Sequence, residues 1–138
     1  MQIAIINGPN LNLLGKREPE IYGTQTFEDY LEIMKNKFPD IDFQYYQSNV
    51  EGELINEIQR VGFSIDGIII NPGGYTHTSV ALGDAIAAIK TPVVEVHISN
   101  IFGSEDFRRI SHVSGKSVGV ISGLGLKGYA LAVEYFLK

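Results

Sequence analysis

Residues Gly67–Asn71 read GIIIN, an uninterrupted apolar run that ends on an amide side chain. The N-terminal segment Gln2–Asn7, QIAIIN, has the same form. Strands that are apolar on both faces are typical of a parallel sheet with helices packed on each side. Further strands are predicted at Asp42–Gln47, at Val93–His97 and at residues 118–122. The last of these, VGVIS, is also apolar throughout, and we expect both of its faces to be covered.

Segments with apolar residues at helical spacing alternate with these strands. They cover residues 27–38, 51–61, 79–89, 105–110 and 126–137. Thr26 is placed to cap the first helix, Thr78 the third and Ser104 the short fourth. Strict alternation of strand and helix predicts an α/β fold with right-handed crossovers. We expect a flavodoxin-like three-layer sandwich whose five-stranded parallel sheet has the order 2-1-3-4-5.

The composition argues against several classes of protein. The chain has 138 residues, with 11 Lys+Arg against 16 Asp+Glu and a formal net charge of −5. This length suits one domain over residues 1–138, and the acidic balance argues against a nucleic-acid backbone as partner. The chain has no cysteine, which excludes disulfides, thiolate metal sites and a cysteine nucleophile. It shows neither a signal peptide nor a run of ~20 apolar residues, so we expect a cytoplasmic protein without membrane contact.

The connection after the first strand is unusually long. It runs from residue 8 to residue 25, whereas such loops usually have about 2–6 residues. It carries Arg17 and Tyr22. A tyrosine hydroxyl has an ordinary pKa near 10, but a guanidinium close to it favours the phenolate. The segment is either a disordered flap or a lid that closes over a site, and spacing alone does not bring the two side chains into contact.

Polar side chains collect where the strands end. Ligands of open parallel sheets bind at the carboxyl ends of the strands where the strand order reverses, here between strands 1 and 3. The segments after these strands contain Asn12, Asn71 and His77. Strand 4 brings Glu95 and His97 to one face of the same edge, because side chains two residues apart share a face. A carboxylate beside an imidazole suits a general acid, although a histidine here could equally be a satisfied core residue.

Other patterns are weaker indicators. Asp84, two turns along the third helix, is either a solvated charge or a group that reaches a neighbouring subunit. The sequence of residues 123–128 matches G-x-G-x-x-G, but no later strand supplies the acid of a dinucleotide site. The three histidines lack the spacing of a zinc site. An FMN carrier and a phospho-acceptor signalling domain share the expected topology, but their phosphate loop and strand-end aspartates are not seen.

Taken together, the motifs resemble the type II 3-dehydroquinate dehydratases, or type II dehydroquinases. The matching segments are NGPNLNLLGKREPEIYG at 7–23, NPGGYTHTSVALGDA at 71–85, EVHISN at 95–100, FRRIS at 107–111 and GLGLKGY at 123–129. The resemblance implies a cofactor-free enzyme that converts 3-dehydroquinate to 3-dehydroshikimate in the shikimate pathway. It further implies anti elimination of water through an enolate, and assembly as a homododecamer, a tetramer of trimers.

The resemblance also implies a role for each matching residue. Tyr22 would take the C2 proton, Arg17 would lower the pKa of that tyrosine and stabilise the developing charge, and His97 would protonate the leaving hydroxyl. Glu95 would steady His97, and Asn12 would hold a water or hydroxyl at the enolate. The implied substrate-binding residues are Asn71, His77, Asp84, Ile98, Ser99 and Arg108, with Asp84 acting across a subunit contact. One departure is Ser104, which stands where the family often carries an arginine.

Overall fold

The computed structural model describes residues 1–16, 20 and 23–137. Five parallel strands form one sheet in the order β2-β1-β3-β4-β5. They are β1 (Gln2–Asn7), β2 (Asp42–Gln47), β3 (Gly67–Asn71), β4 (Val93–His97) and β5 (Gly119–Ser122). The predicted α/β class and strand order are therefore confirmed.

Four helices in the described part of the chain complete the three layers. They are α1 (Phe27–Lys37), α2 (Glu51–Val61), α3 (Val80–Ala88) and α4 (Lys127–Phe136). The apolar faces of α1 and α4 form one buried cluster with Ile3 and Ile5 of β1. The apolar faces of α2 and α3 form a second cluster with the alternate residues of the same strand, Ala4 and Ile6. The continuous apolar runs of β1 and β3 thus serve two cores, one on each face of the sheet.

The crossover between β4 and β5 differs from expectation. The predicted helix at residues 105–110 is a 3₁₀ turn, Asp106–Arg109, and Ser104 ends the preceding turn Ile101–Gly103 instead of capping a helix. Phe107 and Ile110 stay exposed, so this short segment has no apolar face packed on the sheet. Helices of this length are unstable without such packing.

The expectation that the fifth strand is covered on both faces is wrong for the same reason. Val118 and Val120 are 52% and 37% exposed, and β5 is an edge strand that pairs with β4. Val120 pairs with Glu95 and therefore lies on the α2–α3 side of the sheet, where a crossover helix would have covered it. The 3₁₀ turns that replace the helix leave this face open.

Helix caps explain two of the boundaries. The Thr26 hydroxyl accepts from Asp29 N at 3.1 Å, and the Asp29 carboxylate accepts from Thr26 N at 3.2 Å, so the predicted first cap is a full capping box. The third helix is capped by Ser79, whose Oγ accepts from Leu82 N at 3.0 Å, and the prediction of Thr78 is wrong by one residue. In the described part of the chain, no helix has the length and apolarity needed to cross a membrane.

Candidate active site

An open cavity lies at the carboxyl ends of β1, β3 and β4. Its volume is about 170 Å³, and it opens to solvent. Its walls come from the segments that follow these three strands, as expected for a site at the point where strand order reverses. The predicted site residues that line it are Asn71, His77, His97, Ile98, Ser99 and Arg108.

Part of the cavity wall is apolar and was missed from the sequence. Leu11, Leu13, Leu14 and Ile101 line it, together with Pro9, Asn10 and Gly73. Polar side chains at strand ends indicate a ligand site, whereas the leucines between the asparagines of the first connection carry no such signal. Asn10 adopts a left-handed conformation (φ 71°), and its backbone N–H donates to Oδ1 of Asn49 at 3.0 Å.

A buried hydrogen-bond network fixes the orientation of Asn71. The Tyr129 hydroxyl donates to Oδ1 of Asn7 at 2.8 Å and accepts from Nδ2 of Asn71 at 3.0 Å. Oδ1 of Asn71 accepts from Gly73 N at 3.1 Å. Burial raises the pKa of the Tyr129 hydroxyl far above its ordinary value, so this group acts as a neutral donor and acceptor. One N–H and one lone pair of the Asn71 amide remain available to a ligand in the cavity.

Glu95 and His97 form a buried pair on β4. Glu95 is fully buried, His97 is 5% exposed, and Nε2 of His97 donates to Oε2 of Glu95. Since Nε2 is engaged in this way, Nδ1 is the ring nitrogen left for a ligand. Burial works to raise the pKa of the Glu95 carboxyl, but hydrogen bonds from His97, Ser114 and Ser111, together with the His97 charge, outweigh it. The pKa of Glu95 therefore lies below its ordinary value, and the carboxylate is ionised.

His77 stands beside this pair in the cavity. Its Nδ1 lies 2.7 Å from the carbonyl oxygen of Ile110, which can only accept, so Nδ1 carries the proton and Nε2 of the neutral ring is an acceptor. The His77 and His97 rings are stacked with their centroids 6.4 Å apart. The edge of Phe107 meets His77, and the Arg108 guanidinium lies 4.8 Å from the Phe107 ring centre. Two imidazoles and one guanidinium thus suit a ligand with hydroxyl and carboxylate groups.

Two predicted residues, Asn12 and Asp84, lie apart from this constellation, and two others fall outside the described residues. Asn12 is exposed, and Nε2 of Gln47 donates to its Oδ1 at 3.4 Å outside the cavity wall. Asp84 is exposed on α3 and does not line the cavity. Arg17 and Tyr22 lie outside the described residues. The roles assigned to these four residues stay predictions.

Two hydroxyl groups behind Glu95 were not predicted from the sequence. Ser111 and Ser114 follow the 3₁₀ turn of the β4–β5 crossover and donate to the Glu95 carboxylate. Ser111 is the last residue of the FRRIS motif, but no spacing rule connects it with β4. Within residues 1–16, 20 and 23–137, no three His, Asp or Glu side chains are grouped so that they could hold a metal ion.

Comparison with known proteins gives a consistent result. The family model described as "Dehydroquinase class II" matches residues 1–137. A protein of Fusobacterium nucleatum named 3-dehydroquinate dehydratase is 52% identical to this chain, with 100% of the chain and 97% of the relative covered. The crystal structure of a type II dehydroquinase from Butyrivibrio crossotus superposes with a TM-score of 0.92 at 47% identity, covering 100% and 98% of the two chains. A second, from Propionibacterium acnes, gives 0.89 at 40% identity, covering 97% and 94%.

Proposed function

The chain belongs to the class II dehydroquinases, and we propose on this basis that it is a 3-dehydroquinate dehydratase of the shikimate pathway. The reaction is the loss of water from 3-dehydroquinate to give 3-dehydroshikimate, and it proceeds by anti elimination through an enolate. The observation that carries this proposal is the Glu95–His97 pair, which presents an imidazole backed by a buried carboxylate to the open cavity at the strand ends.

The proposed mechanism uses one base and one acid. The Tyr22 phenolate takes the proton at C2, and the C–H electron pair passes into the adjacent carbonyl to form the enolate. Arg17 favours the phenolate and stabilises the developing negative charge. The enolate then re-forms the carbonyl and expels the C1 hydroxyl, which leaves as water with a proton from His97. Asn12 holds a water or hydroxyl at the enolate oxygen in this scheme. The chemistry needs neither a metal nor an organic cofactor.

The residues of the cavity wall suit different groups of the substrate. The single N–H and lone pair that Asn71 retains suit one hydroxyl group, and Nε2 of His77 suits another as an acceptor. Arg108 lines the cavity while its Nε donates to the Glu105 carboxylate at 2.7 Å, and we assign its guanidinium to the substrate carboxylate. The Ser99 hydroxyl and the Ile98–Ser99 backbone complete the binding set.

We also propose that the protein assembles as a homododecamer, a tetramer of trimers. In this arrangement Asp84, which is exposed on α3, supports the active site of a neighbouring subunit. Phe107 and Ile110 beside the cavity are 54% and 59% exposed in a single chain, which is consistent with their burial against another subunit. The measurement that tests the assembly is sedimentation velocity, where a mass below twelve chains contradicts it.

A direct assay tests the proposed reaction. Purified protein is mixed with 3-dehydroquinate in the presence of a chelator, and the conjugated enone of the product is followed by its ultraviolet absorbance. We expect turnover by the wild type, none by Tyr22→Phe, and a loss of at least about 100-fold for His97→Ala. Tyr135→Phe, which removes the hydroxyl of an exposed tyrosine on α4, is the matched control and should keep full activity. Absence of the enone with wild-type protein, or full activity of His97→Ala, would overturn the assignment.

A further inference from the structure

Two serine hydroxyls reach the Glu95 carboxylate from the crossover between β4 and β5. Oγ of Ser114 donates to Oε1 of Glu95 at 2.6 Å. Oγ of Ser111 lies 3.2 Å from both carboxylate oxygens. Neither serine lines the cavity, so neither is placed to touch a ligand. Ser114 binds the carboxylate oxygen that His97 does not contact, whereas Ser111 is equally close to both oxygens.

The carboxylate needs these donors because it is fully buried. An ionised carboxylate inside a protein is strongly destabilised unless hydrogen bonds replace the water it has lost. His97 supplies one donor through Nε2, and it loses its positive charge when Nδ1 gives up a proton in the proposed reaction. The serines supply donors that do not change during the reaction. They therefore keep Glu95 ionised and in one orientation, whichever protonation state His97 is in.

We propose that Ser111 and Ser114 are positioning residues for the reaction, which act through Glu95 to hold His97 in its orientation for proton transfer. This inference rests on the proposed role of His97 as the acid. The two serine hydroxyls orient the Glu95 carboxylate, and the carboxylate in turn orients the His97 imidazole. The lowered pKa of Glu95 has the same origin, since hydrogen bonds from both serines contribute to it against the effect of burial.

The two serines differ in what else they do. Oγ of Ser111 also accepts from the backbone N–H groups of Val113 and Ser114, at 3.1 and 3.0 Å, so it shapes the turn as well. The described hydrogen bond of the Ser114 hydroxyl is the one to Glu95. Ser114→Ala therefore removes the contact with the carboxylate and leaves the turn in place, whereas Ser111→Ala alters both.

The crossover offers a matched control. The Ser117 hydroxyl donates to the carbonyl oxygen of Val113 at 3.0 Å and makes no described contact with Glu95. Ser117→Ala thus removes a hydrogen bond from the same turn, with the same change of side chain. Any effect that Ser114→Ala shows and Ser117→Ala does not is an effect on the carboxylate.

The charged and titratable groups that face His97 limit how the pH dependence is read. Among the described residues they are Glu95 on its own strand, His77 from the segment after β3, and Arg108 from the crossover. Loss of a hydroxyl donor raises the pKa of Glu95, because the carboxylate loses a bond that favours its ionised form. Glu95 should therefore become protonated at a higher pH in Ser114→Ala than in the wild type.

The experiment compares steady-state kinetics of the three serine variants with wild type. We expect Ser114→Ala to lower kcat about tenfold, the effect of one hydrogen bond to a charged group, with KM changed less than about twofold. Ser111→Ala should change kcat and KM in the same directions as Ser114→Ala does. Ser117→Ala should match the wild type. Ser114→Thr keeps the hydroxyl and should recover most of kcat, which a loss of packing alone would not explain.

A readout without substrate separates this inference from the proposed reaction. Infrared difference spectra recorded over a pH titration report protonation of Glu95, and the band is assigned by its disappearance in Glu95→Gln. In Ser114→Ala the band should appear at higher pH than in the wild type. If the wild type does not dehydrate 3-dehydroquinate but the band moves, the proposed function fails and the hydrogen bonding of Glu95 stands. If both kcat and the band in Ser114→Ala and Ser111→Ala match the wild type, the positioning role is refuted.

Discussion

Replacing Tyr129 by Phe tests the buried network that joins β1, β3 and α4. Tyr129 is completely buried, and its hydroxyl is bonded to the side chains of Asn7 and Asn71. The substitution removes one oxygen atom, introduces no steric conflict and leaves the ring contacts with Phe27 and the rest of the core in place. Its effect therefore measures the polar network alone.

The size of the effect follows from the burial of the two partners. A buried polar group that loses its partner destabilises a protein by about 1–3 kcal/mol. Oδ1 of Asn7 has no route to water because Asn7 is 0% exposed, whereas Asn71 is 4% exposed and lines the cavity, where solvent can replace the lost bond. We therefore expect Tyr129→Phe to lower the free energy of unfolding by about 2–4 kcal/mol in total, with most of this loss coming from Asn7.

Equilibrium unfolding in urea measures this loss of unfolding free energy, provided that all variants are compared at one protein concentration. The stability of an oligomer depends on concentration, and the proposed assembly makes this condition necessary. Tyr135→Phe is the control on the same helix, since Tyr135 is 58% exposed, and it should change stability by less than about 0.5 kcal/mol. Asn7→Leu should destabilise the Tyr129→Phe variant less than it destabilises the wild type, because the orphaned amide is then removed.

A Tyr129→Phe protein as stable as Tyr135→Phe would refute the reasoning. It would mean that the amides of Asn7 and Asn71 find other partners, and that the orientation assigned to Asn71 in the cavity is not fixed by Tyr129. A loss of stability without any change in kcat/KM would separate the two consequences. The network would then support the fold and not the ligand contacts.

Four further substitutions test other parts of the structure. Gly83→Ala would place a methyl group 2.2 Å from the carbonyl oxygen of His112, so α3 or the crossover must move, and thermal unfolding and kcat should both fall. Gly52→Ala on α2 meets nothing within 4 Å and should be neutral or stabilising by about 0.5–1 kcal/mol in the same unfolding assay. The lowered pKa of Glu95 means that its ionised form contributes stability above the unfolded-state pKa of about 4.3, and that this contribution is lost as the pH falls through the folded-state value. The difference in unfolding free energy between wild type and Glu95→Gln should therefore be constant at neutral pH and shrink in acid, and a constant difference throughout would contradict it. Thr26→Ala should lose about 1 kcal/mol of unfolding free energy, because the capping box of α1 is removed.

The strands and most helices were predictable because their signals are local. The alternation of apolar runs with helical spacing gave the element bounds, and the rule for parallel sheets located the cavity. Thr26 was recognisable as a helix cap because Asp29 follows it three residues later. The helix predicted at residues 105–110 does not form. A short helix is stable only if its apolar side chains pack, which a local pattern does not show, and Phe107 and Ile110 stay exposed.

The hydroxyls behind Glu95 could not be predicted, since their position depends on the path of the crossover. Ser111 and Ser114 are 16 and 19 residues from Glu95 in sequence. They reach it because His112 N donates to the carbonyl oxygen of Thr76 at 2.9 Å, which draws the crossover back over the end of β3. No periodicity in a single sequence encodes this return. The apolar cavity residues were missed for a different reason, since leucines in a connection do not distinguish a cavity wall from ordinary packing.

The crossover at residues 110–114 connects both imidazoles of the cavity. Its first carbonyl oxygen fixes the His77 ring, and its two serine hydroxyls fix the carboxylate that holds His97. Because α3 packs against the same segment through Gly83, the orientation of both rings is set by the folded core before a ligand arrives. If the Ser114 hydroxyl acts only through the Glu95 carboxylate, its removal should matter little once that carboxylate has been replaced. Ser114→Ala should therefore lower kcat about tenfold in the wild type and by less than about twofold in Glu95→Gln, and equal losses in the two backgrounds would show that the serine acts by another route.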